Sequence, residues 1–256
     1  MPRRLDRYVR GRLGAYALGV AFARWAPDAR FVVVCLPRSG STLLVELLDS
    51  VPRLRCENEV LKAPMRWPAR FVTGRAALAG HRGAVAYGFK LIEYQAPVRQ
   101  GMSIGAIARD LVDDGWRLVH LRRRNVLRLA LSHYRARATG RWHLRRADRS
   151  PVGPFRVDPE GLLAATYLTE EADARTSTEL AGLGGLELTY EDDLLDRTRQ
   201  QATVDHVCDH LGIPSGQATS SLARIGDPAL ADAIANYDEV AALVQATRYR
   251  CWLDDG

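Results

Sequence analysis

Residues 37 to 42, PRSGST, place an arginine, a glycine and three hydroxyls between an apolar run, FVVVC at 31–35, and a helical pattern, TLLVELLDS at 42–50. A strand that turns straight into a helix leaves the first backbone N–H groups of the helix unpaired and aimed at one spot, which binds phosphate. Pro37 leads into the turn, Gly40 permits its tightness, and Ser39, Ser41 and Thr42 add hydroxyl donors to the backbone nest. This is not the triphosphate loop GxxxxGK[ST], because Cys35 occupies the first glycine position and Ser41 the lysine position. Arg38 supplies a permanent cation instead, suited to a phosphate or leaving-group oxygen without help from a metal. The bland alternative is a helix capped by Ser39 or Ser41 with an arginine in solvent.

A second basic junction follows the run WRLVHL at 116–121. LRRRNVLRLALSHY, 121–134, leaves that run and opens a helix. Arg124 and Ser132 stand about 12 Å apart along a helix axis and about 80° apart around it. They meet on one anion only if Arg124 sits at the helix entrance and reaches back, or if the chain bends there. Arg128 follows on a similar face. Two such junctions suit a ligand with two separate phosphates.

Proton transfer needs a base, and Glu57 and Glu59 are two neighbouring acids whose plainer reading is a pair of solvated carboxylates near the arginines. They point the same way in an extended segment and need not in a turn. Lys90, at the end of the run AVAYGFKL (84–91), is placed to neutralise a transferring group; an ordinary salt bridge is the plainer reading. His81, His120, His133 and His143 are weaker candidates for a base. His120 falls inside a strand, as a satisfied core residue would, and His133 lies on a different helix face from Ser132.

The elements that must carry these residues alternate. Strand-like runs occur at 31–35, 84–91, 116–121 and 186–190, and helical patterns at 42–50, 103–115, 125–140, 162–179, 198–211 and 229–247. That order implies crossover connections and a mostly parallel sheet whose ligands bind beyond the strands' carboxyl ends. The expected fold is α/β: a single P-loop-like domain with a mostly parallel central sheet flanked by helices over 31–256, preceded by an N-terminal helical extension at 1–30. Within it, 141–160 is rich in proline, glycine and charge, and reads as a lid or as a plain connector.

The chain has 256 residues and a net charge of +6, which favours anionic partners without naming one. Between Arg117 and Arg149 lie eleven arginines and a single acid, Asp148. Four scattered cysteines form neither a metal knuckle nor a disulfide scaffold, and they fit a reduced, cytoplasmic setting. Arg24 interrupts the apolar part of the N-terminus, so neither a signal peptide nor a membrane span is expected. Leu5 to Trp25 reads as a basic amphipathic helix packed on the body, with contact to a membrane surface as the alternative.

PRSGST after the first strand and R-N-x(6)-S after a later one resemble the 5′-phosphosulfate loop and the 3′-phosphate motif of sulfotransferases that use 3′-phosphoadenosine 5′-phosphosulfate. LLVELLDSVPRLRCENEV at 43–60, GFKL at 88–91, SHYRARATGRWH at 132–143 and LTYEDDL at 188–194 are similar to the bacterial branch that includes nodulation-factor and trehalose sulfotransferases. The resemblance covers about residues 31–194, with a weaker echo in NYDEVAALVQATRY at 236–249. It implies that Arg38 contacts the phosphosulfate oxygens and that Pro37, Ser39, Gly40, Ser41 and Thr42 fall on the 5′-phosphate loop. It also implies that Arg124 and Ser132 hold the 3′-phosphate and that Glu59 is the general base. Lys90 and Tyr190 fall in recurrent stretches without a fixed contact. Val60 and Leu61 depart from the aromatic residue that relatives commonly carry after the acid.

The expected activity is therefore metal-independent, in-line transfer of a sulfuryl group to a hydroxyl on a carbohydrate, glycolipid or small metabolite. Trp67, Trp142 and Phe71 are candidates to stack on that acceptor. A magnesium-dependent ATP kinase, recruiting Asp192 or Asp193, is one alternative. A nucleic-acid-binding protein using the arginine field is another, but only Tyr134 and Trp142 offer aromatic platforms within it. A nucleotide-binding adaptor without turnover is the third.

Overall fold

FVVVC is apolar at every position because its strand is covered on both sides. In a computed structural model describing residues 21, 23–139, 153–222 and 229–253, β1 (Ala29–Cys35) has six of its seven residues buried. The remaining strands are β2 (Leu54–Glu57), β3 (Ala86–Ile92), β4 (Arg117–Arg122) and β5 (Leu186–Thr189). They form a sheet of order β2-β3-β1-β4-β5 in which every pairing is parallel. The chain builds β2 and β3 on one side of β1 and then crosses to place β4 and β5 on the other. A crevice beyond the carboxyl end of β1 results, where such sheets hold ligands.

The helices are α1 (Ser41–Asp49), α2 (Pro68–His81), α3 (Ile104–Asp113), α4 (Val126–Thr139), α5 (Pro159–Leu180), α6 (Gln200–Leu211), α7 (Leu230–Ala233) and α8 (Tyr237–Gln245). Alternation along β1 divides the core. Phe31, Val33 and Cys35 pack with α1 and α6, whereas Val32 and Val34 pack with α2 and α3. A third apolar cluster joins α4, α5, α7 and α8. Among the described residues no helix is long and apolar enough to cross a membrane.

Two elements escape the sequence patterns, and a third is divided. Strand β2, LRCE, is short and charged, as an edge strand is. Its outward N–H groups are already satisfied: Cys56 N–H donates to Asp49 Oδ1 at 2.9 Å and Leu54 N–H to Val51 O at 3.1 Å. Helix α2 starts with proline at its first position. The helix expected over 229–247 breaks at Ile234–Asn236, where the Asn236 side chain pairs with both backbone groups of Val157 at 2.9 Å.

Ala29 and Arg30 belong to β1, so the extension expected at 1–30 ends two residues earlier. Residues 1–20 and 22 of that extension lie outside the described residues. Trp25 rests edge-on against His81, and the absence of a side chain at Gly80 admits the Trp25 carbonyl. Of the stretch expected as a lid or connector, 141–152 also lies outside the described residues. From there on it is tied to α7 through a parallel bridge between Phe155 and Ile234.

Gly88 lets the centre of the sheet close, because its β1 partner Phe31 lays its ring across it and a Cβ there would lie 2.2 Å from Phe31 Cζ. Gly88→Ala is expected to cost roughly 1–3 kcal/mol through overpacking. Urea unfolding checks this, and an unchanged midpoint would contradict the packing described.

Candidate functional site

Beyond the end of β1 the chain makes two left-handed residues almost in succession, Arg38 with φ of 70° and Gly40 with φ of 89°. Glycine is required at 40 for a second reason: a Cβ there would come within 2.4 Å of the Tyr190 ring. The Ser39 hydroxyl is buried and donates to Leu36 O at 2.9 Å, which ties the turn to itself. Helix α1 then begins with no side-chain cap. Gly40, Ser41 and Thr42, at the uncapped start of α1, line a cavity of about 820 Å³. The volume lies within the range of ~300–1,000 Å³ common to small-molecule sites.

The second junction is built differently. Three consecutive arginines leave β4 in three directions. Arg122 forks onto Asp173 of α5, with its shorter contact at 2.5 Å. Arg124 is exposed and pairs with Asp192. Arg123, only 8% exposed, turns into the cavity and lies over the Tyr190 ring, 4.7 Å from its centroid. The N-terminus of α4 is capped. Glu191 accepts from the N–H groups of Arg124 at 2.9 Å and Asn125 at 3.1 Å, and Asn125 Oδ1 accepts from Arg128 N–H at 2.9 Å.

Ser132 does line the cavity, but its partner comes from the other junction: Arg38 Nε donates to Ser132 Oγ at 3.0 Å. No bend in α4 is needed to bring Ser132 to an anion. Burial, with Arg135 and then Arg123 nearby, pushes the Arg38 guanidinium below its ordinary value. An arginine remains protonated even so. Arg38, Arg123 and Arg135 thus share one cavity, a concentration of positive charge suited to an anion carrying more than one charge.

Opposite the turn, Lys90 is almost fully buried. Its ammonium donates to Thr42 Oγ1 at 3.1 Å and lies 3.4 Å from Glu59 Oε1. Gln95 Nε2 donates to the other Glu59 oxygen at 3.0 Å. Glu57 and Glu59 do not point the same way, because the chain turns between them and reaches a φ of 22° at Glu59. Glu57 is clasped by Arg75 at 2.6 and 3.1 Å and by the Tyr87 hydroxyl at 2.9 Å, away from the cavity.

Pro37, Arg38, Gly40, Ser41, Thr42, Glu59, Lys90 and Ser132 therefore line one cavity, with Ser39 buried beneath and Arg124 outside. Asp192 and Asp193 are not on the wall: Asp192 pairs with Arg124 and Asp193 accepts from Thr189 N–H at 2.6 Å. His133 lines the cavity and His81 packs on Trp25, while His143 and Trp142 lie outside the described residues. Phe71 is buried in the core, and Trp67 is exposed beside Arg66 and Arg70. Within the arginine field, Arg117 donates to His210 O, Arg122 binds Asp173 and Arg128 is buried, while 141–149 lies outside the described residues.

The sequence reading missed Arg123, Arg135 and Gln95. Strand parity held the signal for Arg123, which extends the face of Val119 and Leu121 toward α1, whereas Arg122 extends that of Leu118. Among the described residues no group of three or more His, Cys, Asp or Glu side chains is arranged to hold a metal ion. Burial pushes the Cys35 thiol up, which keeps it protonated and inert. Compared with known proteins, the chain matches no family model and no curated sequence, so the case for function rests on this geometry.

His120 is buried in β4, and its Nε2 has no hydrogen-bond partner among the described residues, so it is not the satisfied core residue its position suggested. Burial, then Arg122, holds its pKa below the ordinary value of about 6.5, although Asp173 and Glu187 pull the other way. A depressed folded-state pKa contributes stability that is present above the unfolded value and lost as pH falls toward the folded one. Urea midpoints are expected to fall between pH 7.5 and 5.5, and less steeply in His120→Gln. Equal slopes in the two proteins would contradict this.

Proposed function

We propose that the protein transfers a sulfuryl group from 3′-phosphoadenosine 5′-phosphosulfate to a hydroxyl on a carbohydrate, glycolipid or small metabolite. The observation that carries the reading is the Lys90 bridge. One buried ammonium touches Thr42 of the anion cradle and the Glu59 carboxylate, so the cradle and a base stand one cation apart. Group transfer between a bound anion and a hydroxyl needs that spacing: a held donor, an adjacent proton acceptor, and positive charge between them.

The donor's chemistry fits the residues present. Its 5′-phosphate suits the uncapped start of α1 and the hydroxyls of Ser41 and Thr42, with Arg38 beside them. In the transfer, the acceptor oxygen attacks sulfur as its proton passes to Glu59. The bond from sulfur to the bridging oxygen breaks, and its electron pair stays on the phosphate, giving adenosine 3′,5′-bisphosphate. Charge gathers on that phosphate oxygen, where Arg38 and the α1 N–H groups stabilise it. Lys90 faces the transferring group and also holds Glu59 toward it; Gln95 fixes the second carboxylate oxygen, so the base is oriented at both ends.

The test is transfer of label from donor labelled in the sulfuryl group to a panel of sugars and glycolipids, with release of the bisphosphate followed in parallel. Glu59→Gln is expected to lower kcat by roughly 10²–10⁴-fold with little change in donor affinity, and Arg38→Ala by roughly 10²–10³-fold. Glu57→Gln is expected to lower thermal stability and leave kcat near wild type, since Glu57 serves Arg75. Phosphorylation of the same acceptors from ATP and magnesium, with no consumption of the phosphosulfate, would overturn the proposal.

A further inference from the structure

We infer that the cleft between the edge strand β2 and the last turns of α2 is a separate anion site, which takes a phosphate or sulfate ester on a sugar-sized molecule. Its volume is about 540 Å³, and it shares no lining residue with the cavity beyond β1. Four arginines line it and come from three elements: Arg53 from the turn before β2, Arg55 from β2, and Arg75 and Arg82 from α2 and its C-terminal end. Among the described residues Glu57 is the one carboxylate on its wall. The carbonyl end of α2 adds a weaker negative pole.

The acids nearby set two of the arginines in place without cancelling the charge of the cleft. Glu57 accepts from Arg75 at 2.6 and 3.1 Å, and Asp49 accepts from one terminal nitrogen of Arg55 at 2.8 Å. The other terminal nitrogen of Arg55 stands 3.7 Å from Glu57, beyond hydrogen-bond reach. Arg53 and Arg82 are exposed and have no carboxylate partner among the described residues. Two carboxylates therefore face four guanidinium groups, and a concave wall concentrates the surplus of positive charge. Arg53 is also held ready for a ligand. It keeps a left-handed backbone, φ 64°, which a residue other than glycine adopts at a cost, and its Nε donates to Gly83 O at 3.2 Å. That bond leaves its two terminal nitrogens, the pair that forks onto a tetrahedral oxyanion. The rest of the wall argues against a nucleotide or a nucleic-acid strand, because Leu54, Leu78, Ala79 and Ala84 offer no aromatic ring for a base to stack on. A small polar body carrying the anion suits the volume. Phosphate and sulfate esters present similar tetrahedral oxygens to a guanidinium, so the oxyanion ester is the ligand class.

The experiment is calorimetric titration, at one low ionic strength, of glucose 6-phosphate, glucose 6-sulfate, inorganic phosphate and glucose. The proteins are wild type, Arg53→Gly, Arg82→Ser, the double variant and Arg38→Ala. Glycine accepts a left-handed backbone more readily than arginine, so Arg53→Gly removes the guanidinium and keeps the turn. At least one ester is expected to bind wild type about tenfold or more tighter than glucose or inorganic phosphate, a difference of about 1.4 kcal/mol. The tighter of the two esters tells whether the cleft prefers phosphate or sulfate. Each single variant is expected to weaken that ester by about threefold or more, and the double variant by about tenfold or more, while Arg38→Ala binds it as wild type does. Retention of ester binding in the double variant would place the probe elsewhere and overturn the inference. Esters bound no tighter than inorganic phosphate would overturn it as well, leaving the cleft a solvated basic surface. Neither result touches the donor reading, since the two cavities share no residue.

Discussion

A helix can offer its first N–H groups to an anion only where the chain leaves a strand through a turn that no side chain fills. The turn after β1 meets that condition, and the rest of the site depends on it. Left-handed backbone at Arg38 and Gly40 makes the turn tight enough. Ser39 is drawn inward to the Leu36 carbonyl and so does not cap α1. Left-handed geometry at a non-glycine residue such as Arg38 is costly and persists where the surroundings impose it. Here β1 is clamped between β3 and β4, and the Arg38 side chain is anchored on Ser132. The strained turn and the uncapped start of α1 have one origin.

Charge organises the rest of the cavity. Arg38, Arg123 and Arg135 face the same space, while Lys90 is committed to Thr42 and Glu59. The acids outside that space hold neighbouring arginines in fixed directions: Asp173 takes Arg122, Asp192 takes Arg124, and Glu57 takes Arg75. This division of acids turns a basic stretch of sequence into one inward-facing set of cations. Exposed pairs such as Arg124 with Asp192 contribute little stability. Their effect here is directional.

Much of the fold was legible because β1, β3, β4 and β5 are apolar runs separated by helical periods. The strand that was missed, LRCE, had to carry charge, since it is an edge and its arginine and glutamate face Asp49 and Arg75. The tight strand-to-helix turn was legible from its small residues. Which acid enters the cavity was not, because the parity of 57 and 59 holds only in extended chain and the backbone turns between them. Three identical arginines at 122–124 conceal their roles in the same way. Residue type cannot rank them, whereas the alternation of β4 and the capping of α4 by Glu191, a residue far along the chain, decide which one turns inward.

The central claim is that the cavity at the end of β1 is a cradle for a doubly phosphorylated adenosine and works without a metal. The most direct measurement is calorimetric titration of the unmodified protein with adenosine 3′,5′-bisphosphate and with ADP, each with and without magnesium. The account predicts binding of the bisphosphate that is indifferent to magnesium and at least about tenfold tighter than that of ADP. Equal affinity for the two nucleotides, or binding that requires magnesium, would contradict it.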